Sequence, residues 1–300
     1  MVHGKYFWSW MITAMGVGMV INGCGQHQSP NPLPKAKRAQ IIHIYPTASG
    51  TESAGGPESN GTLWVLAGSA SAQAVYPLLL TQATVGPAIP LPASASTVAL
   101  VPNGPLAVGL ASMPGAVQWR TVPNAKLSGS LALPGPVVTL AAGTSGSHIY
   151  ALWKTSAGES VGQIRVNPPA VVTQWPVPAN TVSLVPGPQG AHLYTLTSAG
   201  QVTEWAIATH QAVGQFVVGQ SGRSLAVNPA GTVLYALKGR GTVRNVAVVS
   251  VATESVKKVL PAPADSLQIL ISPDGRSLYV VVGDSAMGNV QTITGLGGSS

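Results

Sequence analysis

"ISPDGRSLYVVVG" occupies residues 271–283, and "VNPAGTVLYALKG" occupies 227–239, one step of 44 residues earlier. Pro, Gly, Leu and Tyr recur in the same places. Working outward, the core "LYVVVG" (278–283) aligns with "LYALKG" (234–239), "LYTLTS" (193–198), "IYALWK" (149–154) and "LWVLAG" (63–68). The aromatic residues are Tyr279, Tyr235, Tyr194, Tyr150 and Trp64, spaced 44, 41, 44 and 86 residues apart, the last gap being two steps of 43. The missing copy is "LAVGLA" (106–111), in which Ala107 replaces the aromatic. Six copies at this period indicate a repeat architecture whose units bury their faces on one another.

Each copy has matching neighbours. Before the aromatic segment stands a short apolar run that ends in Pro and Gly: "SLQILISPDG", "SLAVNPAG", "TVSLVPGPQG", "STVALVPNG". Such residues set a tight reversal, so the two segments predict a hairpin. Gly-x-Val then opens a third segment at Gly115, Gly200, Gly241 and Gly288. A fourth apolar stretch, such as "SGSLALP", "VVTQWPVP" or "ESVKKVLP", closes the unit on Pro. Four short antiparallel strands in about 43 residues make up one blade of a β-propeller. The expected fold is therefore all-β: a propeller over 41–300, with about six four-stranded blades and seven as the alternative. "IIHIY" (41–45) is expected as the first inner strand, with the alternative that it completes the last unit, which shows only three strands. The recurring aromatic residues are expected to wedge between blades.

"SPDGRSLYVVVG" resembles the YVTN-type propeller repeat, marked by Ser-Pro-Asp-Gly, a basic residue and Leu-Tyr-Val. The likeness is closest at 272–283 and fades to periodicity near 100–111. It implies a propeller of a kind that is often exported.

Composition agrees with a repetitive β chain. Among 300 residues there are 35 Gly and 25 Pro, enough to forbid long helices. Charged residues are 8% of the chain, against about 25% in an ordinary soluble domain. The net charge of +7 does not predict nucleic-acid binding. Lys5, Lys35, Lys37 and Arg38 precede the repeats, and the remaining eleven cations face all eight acids, a balance of +3 that reads as scattered.

The N-terminus carries an address. "MVHGKYFWSWMITAMGVGMVINGCGQ" has one early cation, Lys5, then an uncharged, largely apolar run from Tyr6 to Ile21. This is the form of a secretory signal over 1–23, short for a membrane span. Ile21-Asn22-Gly23-Cys24 resembles the cleavage box of bacterial lipoproteins, with Asn22 where Ala or Ser is usual. The resemblance implies that Cys24, the only cysteine of the chain, is lipidated and anchors the protein to the membrane. Ordinary secretion with an incidental Cys24 is one alternative. The other is an uncleaved anchor; Lys35, Lys37 and Arg38 outnumber Lys5, so on the positive-inside rule such a span would hold its C-terminal side in the cytoplasm. Residues 24–40, polar with three Pro among them, read as a flexible tether.

Candidate chemistry is sparse. The carboxylates are Glu52, Glu58, Glu159, Glu204, Glu254, Asp265, Asp274 and Asp284, with no close pair evident along the chain. Asp274 is expected to serve its turn, and Asp284 is the least explained acid. His148 and His192 both stand two residues before a repeat tyrosine, where two stacked imidazoles could bind a metal or an anion. Exposed strand positions of no special role are the expected reading. Trp119 and Trp205, on third strands, are expected to pack, with a sugar-binding surface as the alternative. No catalytic residue, metal ligand or cofactor is assigned. The expected function is a monomeric, lipid-anchored extracytoplasmic module that binds an envelope or extracellular protein or polysaccharide, and no nucleic acid. An enzyme resembling propeller lactonases or dehydrogenases, with its site at the central channel, is the alternative.

Overall fold

A computed structural model of the chain describes residues 40–46, 61–69, 72–79, 84–102, 104–121, 126–272, 274–283, 288–294 and 296. Cys24, Glu52, Glu58 and Asp284 lie outside them, as do the signal and most of the tether.

The described residues form six antiparallel sheets in chain order. Blade 1 holds β1 (Gln40–Pro46), β2 (Gly61–Ser69), β3 (Ala72–Leu79), β4 (Thr84–Val85) and β5 (Ile89–Leu91). Both β4 and β5 pair with β3, so they are two halves of one outer strand. The interruption falls at Gly86, whose N–H donates to the Pro77 carbonyl at 2.7 Å. Blade 2 holds β6 (Ala95–Leu100), β7 (Leu106–Leu110), β8 (Gly115–Arg120) and β9 (Leu127–Leu133). Blade 3 holds β10 (Val137–Ala142), β11 (His148–Thr155), β12 (Gly158–Arg165) and β13 (Ala170–Val177). Blade 4 holds β14 (Thr181–Pro186), β15 (His192–Thr197), β16 (Gln201–Ala206) and β17 (Gln211–Val217). Blade 5 holds β18 (Gly222–Val227), β19 (Val233–Arg240), β20 (Val243–Ser250) and β21 (Ser255–Ala262). A partial sixth blade holds β22 (Ser266–Ile271), β23 (Ser277–Gly283) and β24 (Gly288–Thr294). The chain is thus an all-β propeller with five complete blades and a partial sixth.

Strands follow one another from the inside of each blade outward. The inner strands touch in the order β1, β6, β10, β14, β18, β22, and β22 lies against β1. Residues 41–45 are therefore the inner strand of blade 1 and do not complete the last sheet. Every aligned aromatic segment is the second strand of its blade, including the degenerate copy in β7.

Burial explains the sequence pattern. A second strand has blades on both faces, so β15 and β7 are buried almost without alternation, whereas the outer strands β17 and β21 are mostly exposed. Each core spans a junction. Tyr150 and Leu152 of blade 3 pack with Leu184 and Leu193 of blade 4. Tyr194 of blade 4 packs with Leu225 and Leu234 of blade 5, and Tyr235 of blade 5 packs with Ile269 and Leu278 of the sixth sheet. These three tyrosines wedge between blades, as their period implied.

The first hairpin turn repeats as well. Ser272 is 5% exposed; its hydroxyl donates to Asp274 Oδ1 and accepts the Ser277 N–H at 2.9 Å, while Asp274 Oδ1 accepts the Arg276 N–H at 3.0 Å. In blade 5, Asn228 Oδ1 does this work, accepting the N–H groups of Thr232 and Val233 at 2.8 and 2.9 Å. Gly275 and Gly231 close these turns at φ of 72° and 73°, a conformation that costs a glycine little. Asp274 is thus a turn residue, its carboxyl held below the ordinary range chiefly by the Ser272 hydroxyl.

Candidate functional site

The inner strands surround a channel and also bind the blades together. Their third residues are Thr97, Thr139, Ser183, Ser224 and Gln268, each next to a register shift with the second strand. An innermost strand is a sheet edge, so its channel-side N–H groups need partners. A hydroxyl of the preceding blade supplies one. Thr97 Oγ1 accepts the Leu140 N–H at 3.3 Å, Ser183 Oγ the Leu225 N–H at 3.1 Å, and Ser224 Oγ the Ile269 N–H at 3.2 Å.

Toward the first hairpin turns the channel widens into a cavity of about 290 Å3. Its wall is aliphatic, including Leu184, Leu225 and Leu270, and its rim carries Thr144, Pro188, Asn228 and Ser272. Among the described residues, none of the side chains that line it is ionisable. An apolar wall with a few uncharged polar groups is the usual character of a small binding site, and the volume sits at the low end of that range.

The titratable residues lie elsewhere. Glu159 is 7% exposed and ties two blades: its Oε2 accepts the Thr181 N–H at 2.8 Å, and Lys154 Nζ stands 3.6 Å from Oε1. Asp265 precedes β22 at φ 56°. Trp119, 2% exposed, is packed in the core between blades 2 and 3, and Trp205 donates its Nε1–H to Thr195 Oγ1 at 2.9 Å. Both act in packing. His148 Nδ1 contacts the Ser147 hydroxyl at 2.9 Å. His192 instead lies 2.9 Å from Glu204 Oε1, at an angle that leaves its buried Nδ1 without a hydrogen bond. The two histidines are thus engaged separately, and no group of three His, Cys, Asp or Glu side chains suited to a metal occurs among the described residues.

Two arrangements escaped the sequence reading. First, Glu204 also accepts a hydrogen bond from the Tyr194 hydroxyl at 3.1 Å, and Glu204 and Glu254 flank Gly214 from adjacent blades. Burial, then the Glu204 charge and hydrogen bond, push the Tyr194 phenol well above its ordinary range. The cross-strand pairing Tyr194↔Glu204 was the available signal, because equivalent repeats place Gln163, Val248 and Thr292 opposite their tyrosines. Second, four of the eleven cations judged scattered sit together in blade 5: Arg223, Lys238, Arg240 and Arg244. "KGRGTVR" (238–244) showed three of them in one hairpin.

No family model matches this chain, and no curated protein does. A solved structure similar to it is the hydrazine synthase of Kuenenia stuttgartiensis, at 15% identity, covering 79% of this chain and 81% of that one, with a TM-score of 0.63. The likeness is one of fold. At that identity it supports the propeller architecture and carries no activity across.

Proposed function

We propose that this propeller is a binding module, held outside the cytoplasm by a lipid on Cys24, whose channel mouth takes an uncharged and largely apolar group of an envelope or extracellular partner. The supporting observation is the aliphatic cavity with its rim of Thr144, Asn228 and Ser272, which offers shape and hydrogen bonds but no acid or base. A YVTN-type repeat and a six-bladed ring belong to the same reading. The contact of β22 with β1 supports the ring.

The enzymatic alternative needs its site at the central channel, whereas the titratable side chains that come together in blade 4 are His192, Tyr194 and Glu204. Those residues stand on the second and third strands of blade 4, outside the channel lining, so the binding reading takes precedence.

The test is a nuclear magnetic resonance screen of uncharged cyclic and aromatic fragments against the wild type and a Thr144→Trp variant. Thr144 is an exposed rim residue, so a bulky side chain there narrows the mouth without entering the core. Binders are expected to perturb Thr144, Asn228 and Ser272 and to lose their effect in the variant. Perturbations confined to another surface, or unchanged by Thr144→Trp, would contradict the assignment.

A further inference from the structure

The cation cluster lies at the opposite end of the inner strands from the apolar cavity. There a recess of about 340 Å3 is bounded by Val182, Ser198, Ser221, Arg223, Arg240 and Leu267. We propose that this recess is a binding site for a small oxyanion of the phosphate class, held by the guanidinium groups of Arg223 and Arg240.

Both arginines are tethered at Nε, which fixes their planes. Arg223 Nε donates to the Gly239 carbonyl at 3.3 Å, and Arg240 Nε donates to Ser221 Oγ at 2.8 Å. Neither has a terminal guanidinium nitrogen hydrogen-bonded among the described residues, so each offers a pre-positioned fork of the kind that grips tetrahedral oxyanions. The Lys238 ammonium lies over Gly219, two residues from Ser221, outside the lining of the recess but close enough to add to its positive field.

Arg244 stands behind them, 6% exposed, donating to the same Gly239 carbonyl as Arg223 while its Nε has no partner. Burial and the Arg223 charge lower its pKa, against an opposing pull from Asp265. Among the described residues none of these four cations has a carboxylate within ion-pair distance, although Lys154 and His192 each have one. Like charges gathered in this way, with Asp265 opposing them only from beyond ion-pair distance, repel one another, and a bound anion relieves that cost.

The position also suits an anion chemically. Arg240 sits between Gly239 and Gly241 in an exposed hairpin turn, so its head reaches the recess from a backbone with no bulky neighbour. The Ser221 hydroxyl accepts from Arg240 and retains its own proton to donate.

Calorimetric titration of the full chain with inorganic phosphate and with sulfate tests this, with chloride as control and a second series at raised salt. Saturable binding is expected for both oxyanions, weakening with ionic strength. Arg240→Gln removes an exposed turn residue's charge and is expected to weaken binding at least roughly tenfold, as loss of a charge-assisted pair does. Arg276→Gln, in the distant Ser-Pro-Asp-Gly turn, should leave it unchanged. Glycerol phosphate and vesicles of phosphatidylglycerol then identify the source. Binding of the vesicles as well as of phosphate points to a lipid headgroup, and binding of the free ions alone to a soluble phosphate. No saturable phosphate binding, equal competition by chloride, or full affinity in Arg240→Gln overturns the proposal.

Discussion

Trp153→Ala is expected to lower the unfolding free energy by about 3–5 kcal/mol, measured as a shift in the denaturant midpoint followed by circular dichroism. Trp153 is 1% exposed and belongs to the core that joins blades 2 and 3, beside Val137, Leu140 and Ile164. The loss is a large part of the roughly 5–15 kcal/mol that holds a domain together. The ring occupies space that a glycine leaves open: a Cβ on Gly162, in the neighbouring strand, would clash with Cη2 and Cζ3 of the Trp153 ring. Gly162→Val is therefore expected to destabilise by overpacking, by about 1–3 kcal/mol. Combined, the two substitutions partly compensate, because valine fills space that the indole vacated. The double variant should be more stable than the sum of the singles predicts. A cost below about 1 kcal/mol for Trp153→Ala would mean that this junction is not the core described.

Alkaline pH should unfold the propeller through its second strands. Tyr150, Tyr194, Tyr235 and Tyr279 all have phenols raised above 10.0, in each case chiefly by burial, with Glu204 adding to the effect at Tyr194 and Asp274 at Tyr279. The sign follows from proton counting. Above pH 10.0 the unfolded chain releases phenolic protons that the folded chain retains, so stability is complete below that pH and falls as pH rises through the raised values. One such group contributes at most about 1.4 kcal/mol per pH unit, less where solvent reaches the hydroxyl. Denaturant midpoints measured from about pH 8 to 11 should hold steady and then fall, less steeply in Tyr194→Phe. A midpoint that stays flat to the alkaline limit would show that the hydroxyls are not buried.

The fold was legible because the repeat writes the same physical instruction several times. Even β7, with Ala107 in place of an aromatic, was found by its distance from Tyr150 and Trp64. The Gly-x-Val motif was visible without its reason. A Cβ on Gly115 or Gly200 would overlap the carbonyl of Gly135 or Gly219, so in those two blades the third strand begins where a neighbouring loop presses on its backbone, whereas Gly241 meets open space and serves its turn at φ 54°. The broken outer strand of blade 1 was not legible, because Gly86 and Pro87 interrupt its pattern and only pairing to β3 joins the halves. Charge was read as a chain-wide balance, which hid the convergence of Arg223 on the 238–244 hairpin: strand pairing brings Gly222 opposite Lys238, a relation that no linear count contains. The approach of Glu254 to Gly214 crosses a blade junction and needs three dimensions in the same way.

The proposal that this propeller binds a partner on the outer side of a membrane rests on lipidation of Cys24. Expression of the full chain in a bacterium, beside a Cys24→Ser variant, with labelled palmitate and membrane fractionation, tests it directly. Label and membrane partitioning are expected in the wild type and neither in the variant. Absence of label from both, with the protein in the soluble fraction, would contradict it.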